Sequence, residues 1–260
     1  MLAQPNDQNA FLSRLSVPEF ALLRPHLTAV DLHVADGLQR HGSNVDHVIF
    51  PHSGLVVLTM PMREHGGAGA ILVGQDSIVG GLAAVAAAPA NCDADVYVGG
   101  RAARMSASAF RDVLDQAPVI RRLAAQFDSA LMARAQQAAL CNAAHPVEAR
   151  VCRWLLDLQD RIGSSKVPLI QGALAQMLGV RRTTVTLTAA KLESAGTIKW
   201  LRGHVQIMDR EQLEQHSCEC YGHVEGYIAR LFAEHDRRDR ATGSRARGLP
   251  AKEGRLTSGG

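Results

Sequence analysis

The chain has 260 residues, 47% hydrophobic and 20% charged, enough to bury a substantial core and far from the composition of a disordered segment. Its 28 Lys+Arg against 25 Asp+Glu leave a formal charge of +3, too mild to establish nucleic-acid binding by itself, and 4% aromatic residues argue against a module that stacks single-stranded bases. No apolar run reaches the ~18 residues of a membrane span, the first residues lack a basic-then-apolar leader, and five scattered Cys make no disulfide framework. A reducing cytoplasm and no membrane partner are therefore expected.

Asn9 to Leu23 predicts one or two short helices, with Pro18 at an early helical position behind Ser16. From about Asp31 to Ser106 the text is β-like. The runs 45–50, 55–60, 70–73, 95–98 and 102–105 are separated by turn material such as Pro51-His52-Ser53-Gly54 and Glu64-His65-Gly66-Gly67. Short strands at this spacing predict an antiparallel sandwich or barrel. A short helix over 108–114 follows, and Pro118 starts a long one. On it Ile120, Ala124, Phe127, Leu131, Ala138 and Cys141 fall near a 4-3 alternation that Arg134 interrupts, so the helix can pack on its own domain or on a second copy of itself. His145-Pro146 breaks the chain, and Val147, Val151, Trp154, Leu155 and Leu158 repeat at helical spacing up to Gly163.

The most informative stretch is 169–207. Leu174, Leu178, Val180, Val185 and Leu192 mark the inward faces of two helices, and Gly179 stands where the first must end in a left-handed residue. Two helices joined by a short Gly-containing turn make a helix-turn-helix, whose second member enters the major groove. That second helix is fronted by Arg181, Arg182, Thr183 and Thr184, with Thr186 one turn on. Guanidinium forks suit guanine edges or phosphate, and hydroxyls suit either. Gly196 stops the helix, and 198–207 reads as a hairpin with Arg202-Gly203-His204 at its tip, a wing offering Arg202 and His204 to the DNA backbone. A last helix is expected from Arg210 to about Glu234, and the basic, Gly- and Ser-containing tail 236–260 is expected to be disordered.

Over roughly residues 10–215 the chain resembles the bacterial transcription regulators named for the cyclic AMP receptor protein and the fumarate–nitrate reduction regulator (Crp/Fnr). The helix-turn-helix at 169–198 carries the likeness, supported by Arg150, Trp154 and Leu155-Leu156 in the helix before it. The resemblance implies an α+β chain with a cyclic-nucleotide-binding-like antiparallel β-roll and N-terminal helices at 1–116. A dimerisation helix at 117–144, a winged helix-turn-helix at 145–216, a C-terminal helix at 217–235 and the tail follow. It implies a homodimer joined through Ile120, Ala124, Phe127, Leu131 and Ala138, double-stranded DNA as partner, and RNA polymerase as a further partner where transcription is activated. Arg182 matches the family's guanine-reading Arg. Thr183 replaces the acidic residue usual after it, and Leu187 stands where some members carry a second Arg, so the operator should differ from those of the namesakes.

The family's cyclic-nucleotide cassette uses Gly-Glu for ribose and Arg-Ser/Thr for phosphate. Here the corresponding effector pocket has Gly80-Gly81 and Asn91-Cys92, without the carboxylate or the guanidinium, so cyclic AMP is not expected and an unidentified small-molecule or redox effector is left. The iron–sulfur branch has an N-terminal Cys cluster, and no Cys precedes Cys92 here. His26, His33, His41, His47, His52 and His65 offer a haem or metal reading of the roll, but their spacing matches no standard ligand pair. Cys218 and Cys220, two apart, would point away from each other on a helix. No cofactor, no metal site and no enzymatic activity are expected; a constitutive regulator with a ligand-free roll is the nearest alternative, and a metal- or haem-dependent sensor or enzyme using the His-containing roll the more distant one.

Overall fold

A computed structural model describes residues 9–61 and 68–241, with side chains given to 233 except at 68–70. In chain order the elements are α1 (Val17–Leu23), β1 (Thr28–Leu32), β2 (Gly37–Gln39), β3 (His47–Pro51), β4 (Leu55–Met60), β5 (Ala68–Val73), α2 (Gly81–Ala86), β6 (Asp93–Val98), β7 (Gly100–Ser106), α3 (Ala107–Gln116) and α4 (Pro118–Ala144). The C-terminal half continues with α5 (Val147–Ile162), β8 (Lys166–Pro168), α6 (Gln171–Leu178), α7 (Arg182–Ser194), β9 (Ile198–Leu201), β10 (His204–Ile207), α8 (Arg210–His216) and α9 (Cys220–Ala241). His65 and the turn at 64–67 lie outside the described residues, as do residues 242–260. No helix among the described residues is long and apolar enough to cross a membrane.

The N-terminal half is an antiparallel β-roll of two sheets, ordered β1-β7-β3 and β2-β6-β4-β5. Leu32, Ile49, Val56, Leu58, Val73, Ala94, Val96 and Ala102 fill the space between them. β4 is apolar on both faces: Val56 and Leu58 point into the roll, while Leu55 and Val57 point the other way and pack with Leu72 against the C-terminal half. A strand covered on both sides reads as a continuous apolar run, which is why 55–60 is the clearest strand in the sequence. β1 and β2 were not resolved from the pattern. β1 is mostly exposed and is held by pairing with β7, some seventy residues on.

The outer face of β3 and β7 is roofed by helices. Phe11, Phe50, Phe110 and Phe127 form one aromatic cluster with centroids 5.3–6.1 Å apart, and Phe232 of α9 stacks 4.7 Å from Phe127. This overturns two expectations. The last helix is not continuous but breaks at 217–219: Leu213 of α8 belongs to the C-terminal core, whereas Val224, Ile228 and Phe232 of α9 fold back onto α4 and the N-terminal core. One straight helix cannot serve both cores. α9 also runs to Ala241, into the stretch expected to be disordered. Secondly, Ile120, Ala124 and Phe127 are buried inside their own chain, at most 1% exposed. Leu131 packs against the roll interior and Ala138 is half-buried beside it. Of the five residues assigned to a dimer interface, Ile120, Ala124 and Phe127 are thus not free to meet a second copy, while Leu131 and Ala138 keep part of their surface. The face of α4 left exposed is Ala125, Ser129, Met132, Gln136, Ala139, Leu140 and Ala143.

The halves are joined by ions as well as by apolar packing. Arg134, which breaks the α4 stripe, turns inward to Asp76 (2.7 Å) and Glu225 of α9 (3.7 Å). Arg161 of α5 reaches Asp76 (3.3 Å) and Asp157 (3.6 Å), and Arg153 pairs with Asp157 (2.7 Å). Burial acts to raise the Asp76 carboxyl, but the Arg161 and Arg134 guanidiniums and the Gly74 N–H outweigh it, leaving its pKa below the ordinary value. Asp76→Asn should cost about 2–3 kcal/mol of unfolding free energy, below the ~3–5 of a fully buried pair because the side chain is 31% exposed. A group with a lowered folded pKa stabilises above its unfolded value and loses that contribution as pH falls through the folded one. Denaturant titrations of wild type and variant should therefore differ most near neutrality and converge in acid.

Candidate nucleic-acid interface

The C-terminal half has its own core, in which Val151, Trp154, Leu155 and Leu158 of α5 meet Leu174 and Leu178 of α6, Val185 and Leu192 of α7, and Val205 and Ile207 of β10. α6 ends at Gly179, whose φ of +64° is the left-handed cap the sequence called for. The Gly179 and Val180 N–H groups close back onto Gln176 and Ala175. Arg150 is 6% exposed, and its guanidinium donates to the Leu178 carbonyl, one of the orphan acceptors at the end of α6. A residue that marked the resemblance is thus the brace under the turn.

Arg181 is the extended N-cap residue of α7 rather than part of its first turn, and the helix proper starts at Arg182. Arg181, Arg182 and Thr183 are exposed, Thr184 is half-buried, and neither Arg is in an ion pair among the described residues. The first turn contains no acidic residue, so the guanidiniums and the positive helix end face solvent together, a ready anion site. Thr186 is exposed, but its hydroxyl sits 2.8 Å from Gln171 Oε1 and 3.0 Å from the Arg182 carbonyl, so its proton is already engaged in tying α7 to α6. Leu187, 69% exposed beside it, presents an apolar surface of the kind that meets a thymine methyl. Lys191, one turn on, pairs with Glu148 at 3.3 Å.

β9 and β10 form the expected hairpin, turning at Gly203 (φ +80°), with Arg202 exposed and His204 half-buried at the tip. The sequence reading missed its third strand: β8 pairs with β10, in the order β8-β10-β9. The Leu169 N–H donates to the Gly203 carbonyl, so the tip is tied to the chain entering α6. Trp200 N–H donates to Glu193 Oε1 at 2.6 Å and fixes the wing to α7.

The residues assigned to an effector pocket are brought together only in part. Gly80, Asn91 and Cys92 line a cavity of about 350 Å³ between the roll and α4, with Leu58, Ile71, Leu131 and Ala138. Gly81 does not line it; a side chain there would strike Ile78. Among the described residues the polar groups in the wall are Gln39, Thr59, Asp128, Asn91 and Asn142, with no Arg or Lys. Burial pushes the Asp128 carboxyl up to about 6, and Gln39 Oε1 is buried with no partner. His26, His33, His41 and His47 are exposed and His52 half-buried, so they do not line the roll as a haem or metal reading requires.

The Crp-like helix-turn-helix domain family matches residues 149–216. No curated protein matches the chain. Among solved structures, a candidate transcriptional regulator of the Crp/Fnr family from Eubacterium rectale superposes at TM-score 0.64 and 13% identity, covering 80% of this chain and 98% of that one. A Crp/Fnr regulator from Thermus thermophilus gives 0.62 at 21% identity, over 73% and 98%. The regulator from Xanthomonas campestris described as responsive to c-di-GMP gives 0.62 at 15%, again over 73% and 98%. Replacing Arg150 by Met keeps the stem and removes the donor. Hydrogen exchange at the amides of residues 178–182 should then quicken by about tenfold, the equivalent of ~1.4 kcal/mol of local stability, with β4 and β6 unchanged.

Proposed function

Residues 149–216 are a Crp-like helix-turn-helix domain on a chain with the fold of Crp/Fnr regulators, and from that premise we propose that the protein is a cytoplasmic, sequence-specific regulator of transcription, acting as a homodimer on a palindromic operator. The observation that carries this reading is the unpaired Arg181–Arg182 couple at the exposed N-terminus of α7, braced from below by Arg150 and flanked by the Arg202 wing. In this role Arg182 reads a base edge. Arg181, Thr183, Arg202 and His204 hold phosphates, and Leu187 supplies apolar contact to a base. Phosphate contacts give most of the affinity and its salt dependence, whereas base contacts give the choice of sequence.

The two copies meet along the exposed strip of α4, with Met132 (54% exposed) and Leu140 (59%) as its large apolar members. That strip replaces the stripe buried within the chain. Two recognition helices then reach major grooves about 34 Å apart. The cavity beside the same helix takes the effector. Its wall is largely apolar, has no Arg or Lys among the described residues and contains Asp128, so the described side chains offer a cyclic phosphate a carboxyl and no cation. A small ligand without a phosphate, donating a hydrogen bond to Gln39 Oε1, fits better.

Selection of bound duplexes from a random pool, followed by gel-shift titration, tests the reading. A palindromic consensus should emerge, and Arg182→Ala should lose ~1–3 kcal/mol, about 5- to 150-fold, with relaxed choice at one base pair of each half-site. Unchanged affinity and preference would defeat the assignment of α7. Met132→Glu with Leu140→Glu should yield monomers by sedimentation and lower operator affinity by about 10²–10⁴-fold through lost avidity. A dimer that survives both changes places the interface elsewhere.

A further inference from the structure

Four ligand-type side chains, none of them assigned a role above, converge where the two halves of the chain meet. Cys141 lies in the last turn of α4, and His145 follows it by four residues at the α4–α5 break. Cys218 stands in the link between α8 and α9, and Cys220 opens α9. Each offers one ligand atom, and these atoms all lie within 4.8 Å of one another, the only such group among the described residues. Cys141 Sγ is 3.5 Å from Cys218 Sγ, and Cys220 Sγ is 3.5 Å from His145 Nδ1. The expectation that Cys218 and Cys220 diverge fails because Cys218 is not helical: the chain is extended at Ser217, so both thiols turn to the same side.

We propose that Cys141, His145, Cys218 and Cys220 form a Cys3His site for a single zinc-type divalent cation that staples the end of α4 to the start of α9. Sulfurs bound at ~2.3 Å around a tetrahedral centre lie about 3.8 Å apart, close to the 3.5 Å between Cys141 and Cys218 and inside the 4.8 Å that spans the group. The surroundings are those of a metal site rather than of stray thiols. His145 aims Nδ1 at the sulfurs while its other nitrogen, Nε2, meets Glu219 Oε1 at 3.2 Å. That carboxylate fixes the tautomer and orientation of a ligating imidazole. Gln137 Nε2 donates to Cys220 Sγ at 2.8 Å, as second-layer donors do to a bound thiolate. All three Cys are at most 6% exposed and the His145 side chain is 18% exposed, so the centre is closed, as structural zinc sites are.

The surrounding charge suits such a centre, because the Arg153 guanidinium neighbours Cys141. Binding releases the three thiol protons to solvent. The resulting centre, three thiolates around one dication, carries a single negative charge beside Arg150 and Arg153. The staple connects the long helix to the chain leaving the DNA-reading half, and its uptake of metal is independent of whether the protein binds DNA.

The test uses the full-length reduced protein, supplied with zinc chloride and desalted, with cobalt(II) chloride as a spectroscopic substitute. About one zinc per chain should be retained, and cobalt should give the intense visible bands of a tetrahedral site together with thiolate-to-metal charge transfer. Cys141→Ser and Cys218→Ser should abolish both signals, whereas Cys92→Ser and Cys152→Ser keep them. Glu219→Gln should weaken zinc affinity ~10–100-fold at unchanged stoichiometry, a loss that mere disruption of folding does not produce. Absence of retained zinc and of the cobalt bands in the wild type overturns the proposal. So does undiminished binding by Cys141→Ser, or a Cys141–Cys218 disulfide found by peptide mapping in protein that takes up no metal.

Discussion

The placement of the winged helix-turn-helix half depends on Arg161 and Asp76. Apolar contact between β4–β5 and α5–α6, through Leu55, Val57 and Leu72, brings the halves together but is tolerant of sliding, because dispersion and burial are nearly blind to direction. The ion network is directional. Asp76 pairs with Arg134 of α4 and Arg161 of α5, so two helices must meet one loop after β5 in a single register, while Arg153 and Arg161 flank Asp157 within α5 and hold the Arg161 side chain in place. Buried ion pairs add little net stability against apolar substitutes, since desolvation cancels much of their attraction. Breaking one partner is costly, however, and that asymmetry makes such a network a means of fixing geometry. α5 carries both halves of the arrangement. Its apolar face builds the helix-turn-helix core, and its Arg150 braces the Leu178 carbonyl on which the turn before α7 depends.

What could be read in the sequence follows from what is local. Gly179, Gly196 and Gly203 each need positive φ for a reason present within a few residues, and all three take it. The helices α3 to α7 announce themselves by period and by caps such as Ser106, whose Oγ accepts from Ala109 N–H. The candidate recognition residues were found because they are the polar front of a helix whose inward face is unambiguous. The dimer stripe shows the limit. Apolar period on α4 locates a covered face without saying what covers it, and here α9 returns from beyond the winged domain to put Phe232 on Phe127. The Cys and His cluster was hidden for the same reason: Cys141 and Cys218 are 77 positions apart, and the break that joins them at 217–219 is decided by two cores competing for one C-terminal segment. A Cys four residues before a His at a helix end, together with Cys-x-Cys at a helix start, was the only sequence signal available.

α4 is the element on which these features converge. Along it, in order, stand Asp128 and Leu131 in the cavity wall, Arg134 in the ion network, Gln137 on the Cys220 sulfur, and Cys141 itself. A ligand alters DNA affinity only if it binds two arrangements of the protein unequally. For a ligand in the cavity one available difference lies in the position of α4, which forms one wall opposite β4, β5 and α2. A shift of α4 in turn strains the Arg134–Asp76 contact and whatever holds Cys141. A helix held midway at Arg134 and near its C-terminal end at Cys141 resists continuous sliding but can pass between two discrete registers, the condition for a switch. Any coupling from a cavity ligand to α7 should therefore depend less on contacts with Gln39 and Asp128 than on how firmly Arg134 and the Cys141 corner hold α4.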